Sequence, residues 1–201
     1  MGILERKERN RENLRQAILD ASEELFVQEG FKNVSMRKIA AKIEYSPTTI
    51  YLYFKDKSEI FGCLLEQYYA KLFDILQNIQ DNNTDPLVCI QKGMRVYTEF
   101  GLSNPNYYKL AFMLTPEIKA KDYLDQKLVS TKAFLTLRSN VEQCIQLKIF
   151  SQKDVDLTTQ ILWCMNHGIT SLLLSNPNFP WVDKDILMDE YIKSTINGLL
   201  T

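Results

Sequence analysis

The 201-residue sequence predicts an all-α fold of about nine helices. Three observations carry that expectation. Apolar residues recur at three- and four-residue steps over most of the chain. Ser, Asp or Asn followed by Pro stands where several of these patterns open, as at Ser46-Pro47, Asp85-Pro86 and Asn104-Pro105. No run alternates with the period of a strand, and no internal repeat is found.

The elements follow in order. Leu14, Ala17, Ile18, Ala21 and Leu25 place a first helix from about Arg11 to Glu29, and Gly30 stands at its left-handed cap. Ser35 caps a second helix of about two turns, with Val34 and Ile39 at the positions of a hydrophobic staple. Ser46 and Pro47 open a third, reaching Tyr53. Ile60, Leu64, Tyr68, Leu72, Ile75 and Ile79 make a long fourth helix, which joins the three-helix unit to the rest without a flexible linker. Pro86 opens a fifth to about Leu102, and Asn104-Pro105 a shorter one through Leu114, ended by Thr115-Pro116. Asp122 to about Phe150, Lys153 to Ser175 and Asp183 to Leu200 complete the set, with a break at 176–180. The expected domains are 1–62 and 63–201.

Composition excludes several classes. Apolar residues make up 45% and charged residues 24%, which fits a globular chain rather than a disordered one. Seven Gly and six Pro argue against a loop-rich barrel or a collagen-like chain. Cys63, Cys89, Cys144 and Cys164 show no paired spacing and His167 is the single histidine, so neither a structural zinc nor a cofactor is expected. The charged N-terminus lacks the apolar run of a signal peptide, and the least polar stretch, 161–174, is interrupted by Asn166 and His167. A cytoplasmic address and no membrane partner are the expectation.

The second and third helices, joined by a turn of about four residues, form a helix-turn-helix, whose second helix fits the major groove of DNA. Thr48 and Thr49 lie at its N-terminal end, where a hydroxyl or a methyl reads base edges. Tyr51, Tyr53, Lys55 and Lys57 can reach phosphates, as can the Ser35 hydroxyl and Arg37 at the start of the second helix. The same spacing also describes two short helices that simply pack. Net charge is −1, with 24 Lys and Arg against 25 Asp and Glu, which at first argues against nucleic acid. Charge is nevertheless segregated: Arg37, Lys38, Lys42, Lys55 and Lys57 face only Glu44 and Asp56 between 33 and 57, while Asp20, Glu23, Glu24 and Glu29 lie on the first helix. Arg6, Lys7, Arg9 and Arg11, interspersed with Glu5, Glu8 and Glu12, read as a solvated, frayed helix start more than as a DNA-binding arm.

The run from Ser35 to Ala40, then Ser46 to Phe61, with Phe26, Gly30 and Phe31 ahead of it, resembles the DNA-binding domain of TetR-family transcriptional regulators over residues 12–61. The resemblance implies an all-α homodimer that binds palindromic operator DNA and releases it when a small molecule occupies the C-terminal domain. It implies that Thr48 and Thr49 face bases while Tyr51, Tyr53 and Lys57 hold phosphates. Glu44 departs from the pattern, since glycine is common at that turn position; either mild strain or a different turn follows.

In the C-terminal part, Phe100, Tyr107, Tyr108, Phe112, Met113, Phe134, Trp163 and Met165 suffice to line an apolar pocket, with His167 as a polar anchor. Aromatics at helical spacing are more often plain core, and Trp163 is read that way. The segments 97–100, 104–112 and 163–168 are similar to a C-terminal subclass marked by Trp followed four residues later by His-Gly. The apolar 161–174 stretch and the amphipathic last helix suit a two-fold, four-helix interface. The reading is a ligand-responsive repressor; the alternative is a protein of the same fold that binds a lipid or small molecule without operator DNA. An enzyme finds no paired acid and base or activated nucleophile in the sequence.

Overall fold

The computed structural model describes residues 2–113 and 127–200, with the side chains at 3, 4, 113 and 127–131 outside the description. Nine α-helices and no strand occur among the described residues; Phe150 and Leu200 form a single antiparallel bridge. They are α1 (Ile3–Glu29), α2 (Met36–Lys42), α3 (Pro47–Tyr51), α4 (Lys57–Asp81), α5 (Pro86–Ser103), α6 (Pro105–Tyr108), α7 (Lys127–Gln146), α8 (Val155–Ser175) and α9 (Lys184–Asn197). A π-helical turn, Lys109–Met113, extends α6. No described helix is long and apolar enough to cross a membrane.

Local chemistry sets the boundaries. The Ser35 and Ser46 hydroxyls accept the N–H groups of Lys38 (3.3 Å) and Thr49 (3.1 Å), and the carboxylates of Asp85, Asp154 and Asp183 cap α5, α8 and α9. Gly30 ends α1 at φ 79°, a conformation that glycine adopts without steric cost. Helix α1 starts at Ile3, a full eight residues before the expected Arg11. The added segment is exposed and charged, so it carries no apolar stripe by which to be read, yet it is rich in good helix formers. Its Glu5 carboxylate accepts the Gly2 N–H at 2.8 Å. Helix α3 is shorter than expected and ends at Tyr51, and five residues on the Asp56 carboxylate caps α4 through the N–H groups of Ser58 (2.8 Å) and Glu59 (3.0 Å). Helix α7 ends at Gln146, ahead of the expected Phe150. Lys148 takes a left-handed φ of 57° there, and the Ile149 N–H returns to the Cys144 carbonyl at 2.8 Å. The expected stop at Thr115-Pro116 and start at Asp122 lie outside the described residues.

The chain packs as two compact units, Met1–Tyr68 with Asn106–Gln126, and Tyr69–Pro105 with Lys127–Thr201. In the first, Ile18, Leu19, Phe26, Ile39, Ile50, Phe54, Ile60, Phe61 and Leu64 are buried. Phe26, Phe31 and Phe61 make a triangle with centroids 5.3 to 5.7 Å apart. This core fixes α2 and α3 against α1 and the start of α4. In the second unit, Ile90 and Met94 of α5, Val141 and Cys144 of α7, Leu162 of α8 and Met188, Ile192 and Ile196 of α9 share a core with Phe150.

Candidate nucleic-acid interface

Helix α3 turns one apolar residue, Ile50, into the core and leaves the rest of its short length outward. Thr48 is exposed and its side chain makes no hydrogen bond within the described residues. The Thr49 hydroxyl is instead 2.9 Å from the Ser46 hydroxyl, inside the capping turn. Tyr51 is 56% exposed and Leu52 still more so, while Tyr53 is half-buried in the turn that follows α3. Arg37 and Lys55 are exposed and their side chains form no ion pair within the described residues. Tyr45, half-exposed immediately before the cap of α3, belongs to the same surface and was not among the expected contacts.

Two expected contacts are used within the fold. Ser35 spends its acceptor on the α2 cap but retains a hydroxyl proton. Lys57 directs its ammonium at the carbonyls of Phe31 (2.6 Å), Val34 (2.9 Å) and Lys32 (3.3 Å) and stands 4.5 Å from the Phe31 ring centroid. An ammonium has three protons. All three therefore have intramolecular acceptors, and Lys57 acts in this structure as a clamp on the turn before α2 rather than as a free phosphate donor. Burial also lowers its pKa.

The charge segregation seen in sequence takes a specific form. Lys42 pairs with Glu24 at 2.7 Å and Lys38 with Glu29, so two cations of α2 are neutralised by α1. Arg37 and Lys55 remain exposed cations of the helix-turn-helix with no ion pair among the described residues. The turn between α2 and α3 contains Glu44 at φ 60°, so its backbone does adopt the conformation that favours glycine. Its carboxylate is exposed.

Residues 18–63 match the family model for bacterial regulatory proteins of the tetR family. The fold extends the likeness to the whole chain. A fatty acid degradation regulator, FadR, from Bacillus halodurans superposes with a TM-score of 0.79 at 16% identity, over 92% of this chain and 95% of that one. A TetR family transcription regulator from Marinobacter aquaeolei VT8 does so with 0.75 at 16% identity, over 96% and 98%. The chain has a TetR-like fold, with the family match confined to its helix-turn-helix region.

Among sequence relatives, the chain is similar to YobS, an HTH-type transcriptional regulator of Bacillus subtilis, at 25% identity over 91% of each chain. YuxN of the same organism is 27% identical over 46% of this chain, a match that spans only 32% of that relative's length. The comparisons support a DNA-binding transcriptional regulator with a helix-turn-helix.

The residues expected around a ligand fall into both compact units. Tyr108 is buried in the first, where its ring meets that of Phe112 at 4.9 Å; the Met113 side chain lies outside the described residues. Phe100, Phe134, Trp163 and His167 belong to the second. Trp163 is 42% exposed, against the expectation that it is core, and its ring meets that of Phe134 edge to face with centroids 5.8 Å apart. His167 is half-buried with Nδ1 3.4 Å from the Tyr97 hydroxyl, and burial lowers its pKa. Among the described residues no group of acidic, Cys and His side chains is arranged to hold a metal.

Proposed function

We propose that the protein is a ligand-responsive repressor that binds a palindromic operator as a homodimer and releases it when a small apolar or amphipathic molecule occupies the C-terminal part. The observation that carries the DNA-reading part is the outer surface of α3. Thr48 and Tyr51 stand exposed on a helix anchored by a buried Ile50, and Arg37 and Lys55 are unspent beside them. In this reading Thr48, with Thr49 behind it, meets base edges. Tyr51, Tyr53, Lys55, Arg37 and the Ser35 hydroxyl meet phosphates.

The homodimer is supported by α8. Leu157, Ile161, Cys164, Met165 and Leu172 are all exposed and fall within one arc of that helix, with Gly168 among them. A stripe of that kind on a DNA-binding regulator is suited to a second copy of the same chain. Helix α9 adds exposed Ile186, but the rest of its outer face is mostly polar or charged. Sedimentation tests this directly: a stable monomer at micromolar concentration would remove the dimer.

Two-fold pairing places two recognition helices about one turn of DNA apart, roughly 34 to 36 Å in the simplest helix-turn-helix dimers. An effector that favours another spacing lowers operator affinity by a coupling of about 1 to 3 kcal/mol, roughly five- to 150-fold. A gel shift with the DNA upstream of the protein's own gene is the deciding experiment. A sequence-specific shift that survives excess unrelated competitor DNA supports the proposal, and absence of any specific shift over several promoter fragments favours a ligand-binding protein that has lost operator recognition.

A further inference from the structure

Helices α5 and α8, both in the second unit, meet along a polar seam inside the apolar core. Met94, Tyr97, Thr98 and Gly101 share one face of α5; Trp163, Asn166, His167 and Thr170 share one face of α8. Thr98 and Thr170 are fully buried with hydroxyls 3.0 Å apart, and the Thr170 hydroxyl donates to the Asn166 carbonyl at 2.8 Å. Thr98 therefore donates to Thr170. The Asn166 side chain, 5% exposed, donates its Nδ2 to the Met94 carbonyl at 3.2 Å. Because a carbonyl can only accept, that bond fixes which end of the amide is nitrogen.

The other end, Asn166 Oδ1, is buried and accepts no hydrogen bond within the described residues. A buried acceptor without a donor is costly, and a leucine of nearly the same shape would avoid the cost. We propose that Asn166 Oδ1 is the polar anchor of the effector site, taking a neutral hydroxyl or amide N–H donor from an amphipathic ligand whose apolar part lies against Trp163 and Phe134. The assignment rests on the reading of the protein as effector-responsive. Tyr97 and His167 border the same face and complete the polar end. A carboxylate headgroup is disfavoured there, since its oxygens would oppose the amide oxygen.

The test uses the full chain with primary alcohols from butanol to dodecanol and the carboxylates of matching length, followed by calorimetry. The best alcohol is expected to bind at least about tenfold more tightly than its carboxylate, the worth of one good hydrogen bond. Asn166→Leu should remove that preference, lowering alcohol affinity relative to carboxylate affinity by at least about tenfold. Asn166→Ala, used should the leucine variant fail to fold, also deletes the acceptor and should remove the same preference. Equal binding of alcohols and carboxylates, no binding of any alcohol, or preferences unmoved by both variants would overturn the anchor. So would an ordered water on Oδ1 that no alcohol displaces. Those failures are distinct from failure of the effector reading, which falls only if no compound in a broad panel changes operator affinity.

Discussion

The Tyr107 hydroxyl, on α6, donates a hydrogen bond to the Glu23 carboxylate on α1, and the Asn106 side chain bonds the same carboxylate. The Tyr107 ring stacks on Tyr68 of α4, with centroids 6.0 Å apart and planes 17° from parallel. The start of α6 is thereby tied to the two long helices that frame the DNA-reading unit. Tyr107→Phe keeps the stacking and deletes one donor. It is expected to destabilise the protein by about 1 to 2 kcal/mol in urea unfolding, because a half-buried carboxylate loses a partner. A loss below the error of the measurement would show that Asn106 alone satisfies Glu23.

The same carboxylate gives a pH signature. Burial, helped by neighbouring Asp20 and Glu24, raises the Glu23 pKa despite its two hydrogen bonds. The folded chain then holds this proton more tightly than the unfolded chain. Stability from the group is full below the ordinary glutamate value and is lost as pH rises through the folded value. Glu23→Gln should flatten that part of the curve, so that the variant gains on the wild type as pH rises from the acid side to neutrality. Parallel stability curves for the two proteins would contradict the shift.

Lys57 illustrates a role that only the folded chain reveals. Substitution by Met keeps an unbranched side chain of similar length and removes the donor to the carbonyls of Phe31, Lys32 and Val34. A cost of about 1 to 3 kcal/mol in thermal or urea unfolding is expected, with the salt dependence of DNA binding little changed. Arg37→Ala is the counterpart. It should leave stability nearly unaltered and reduce the slope of log affinity against log salt by about 1, equally on specific and unrelated DNA. If Lys57→Met instead reduced the salt slope and left folding intact, Lys57 would be a phosphate contact after all.

What the sequence made legible is what short-range chemistry decides. Ser35, Ser46 and Asp85 announce helix starts because the capping oxygen and the N–H it accepts lie within three residues, and the recurrence of apolar steps locates Ile18, Ile60 and Leu64 in the core. Thr48 and Tyr51 follow from the same logic, since anchoring Ile50 leaves them outward. Contacts between residues distant in sequence carry no such local mark. Lys57 looks like any exposed lysine until the turn before α2 folds under it, and Glu23 and Tyr107 are on helices that nothing in the periodicity pairs. The stop of α7 at Lys148 was hidden for another reason: a lysine takes there the left-handed conformation for which glycine is the usual signal.

Glu44 is a second such residue, with φ 60° in the turn that sets α3 against α2. A left-handed non-glycine residue costs about 1 kcal/mol or more, partly offset by the greater freedom glycine has when unfolded. Glu44→Gly is therefore expected to stabilise the protein by up to about 1 kcal/mol in urea unfolding. Removal of an exposed acid from the turn before the recognition helix should change operator affinity only slightly if the side chain points away from DNA. A large gain in affinity at low salt, absent at high salt, would mean that Glu44 faces the phosphate backbone.

Thr48 and Thr49 are separable as base readers because the fold treats their hydroxyls differently. Thr49 lies against the Ser46 hydroxyl and its N–H is bound by the same cap, so Thr49→Ala loosens the start of α3 as well as any base contact. Thr48 makes no hydrogen bond within the described residues and is exposed. Thr48→Ala should cost nothing measurable in stability and about 1 to 3 kcal/mol of discrimination at one base pair of each half-site, read by competition between operator variants. Thr48→Val separates the two ways a threonine can read DNA, since it keeps a methyl for thymine and removes the hydroxyl. Retention of discrimination by the valine variant would identify a thymine methyl as the partner, and unchanged specificity in both variants would remove Thr48 from the reading surface and leave Tyr45 and Tyr51 as the side chains to test.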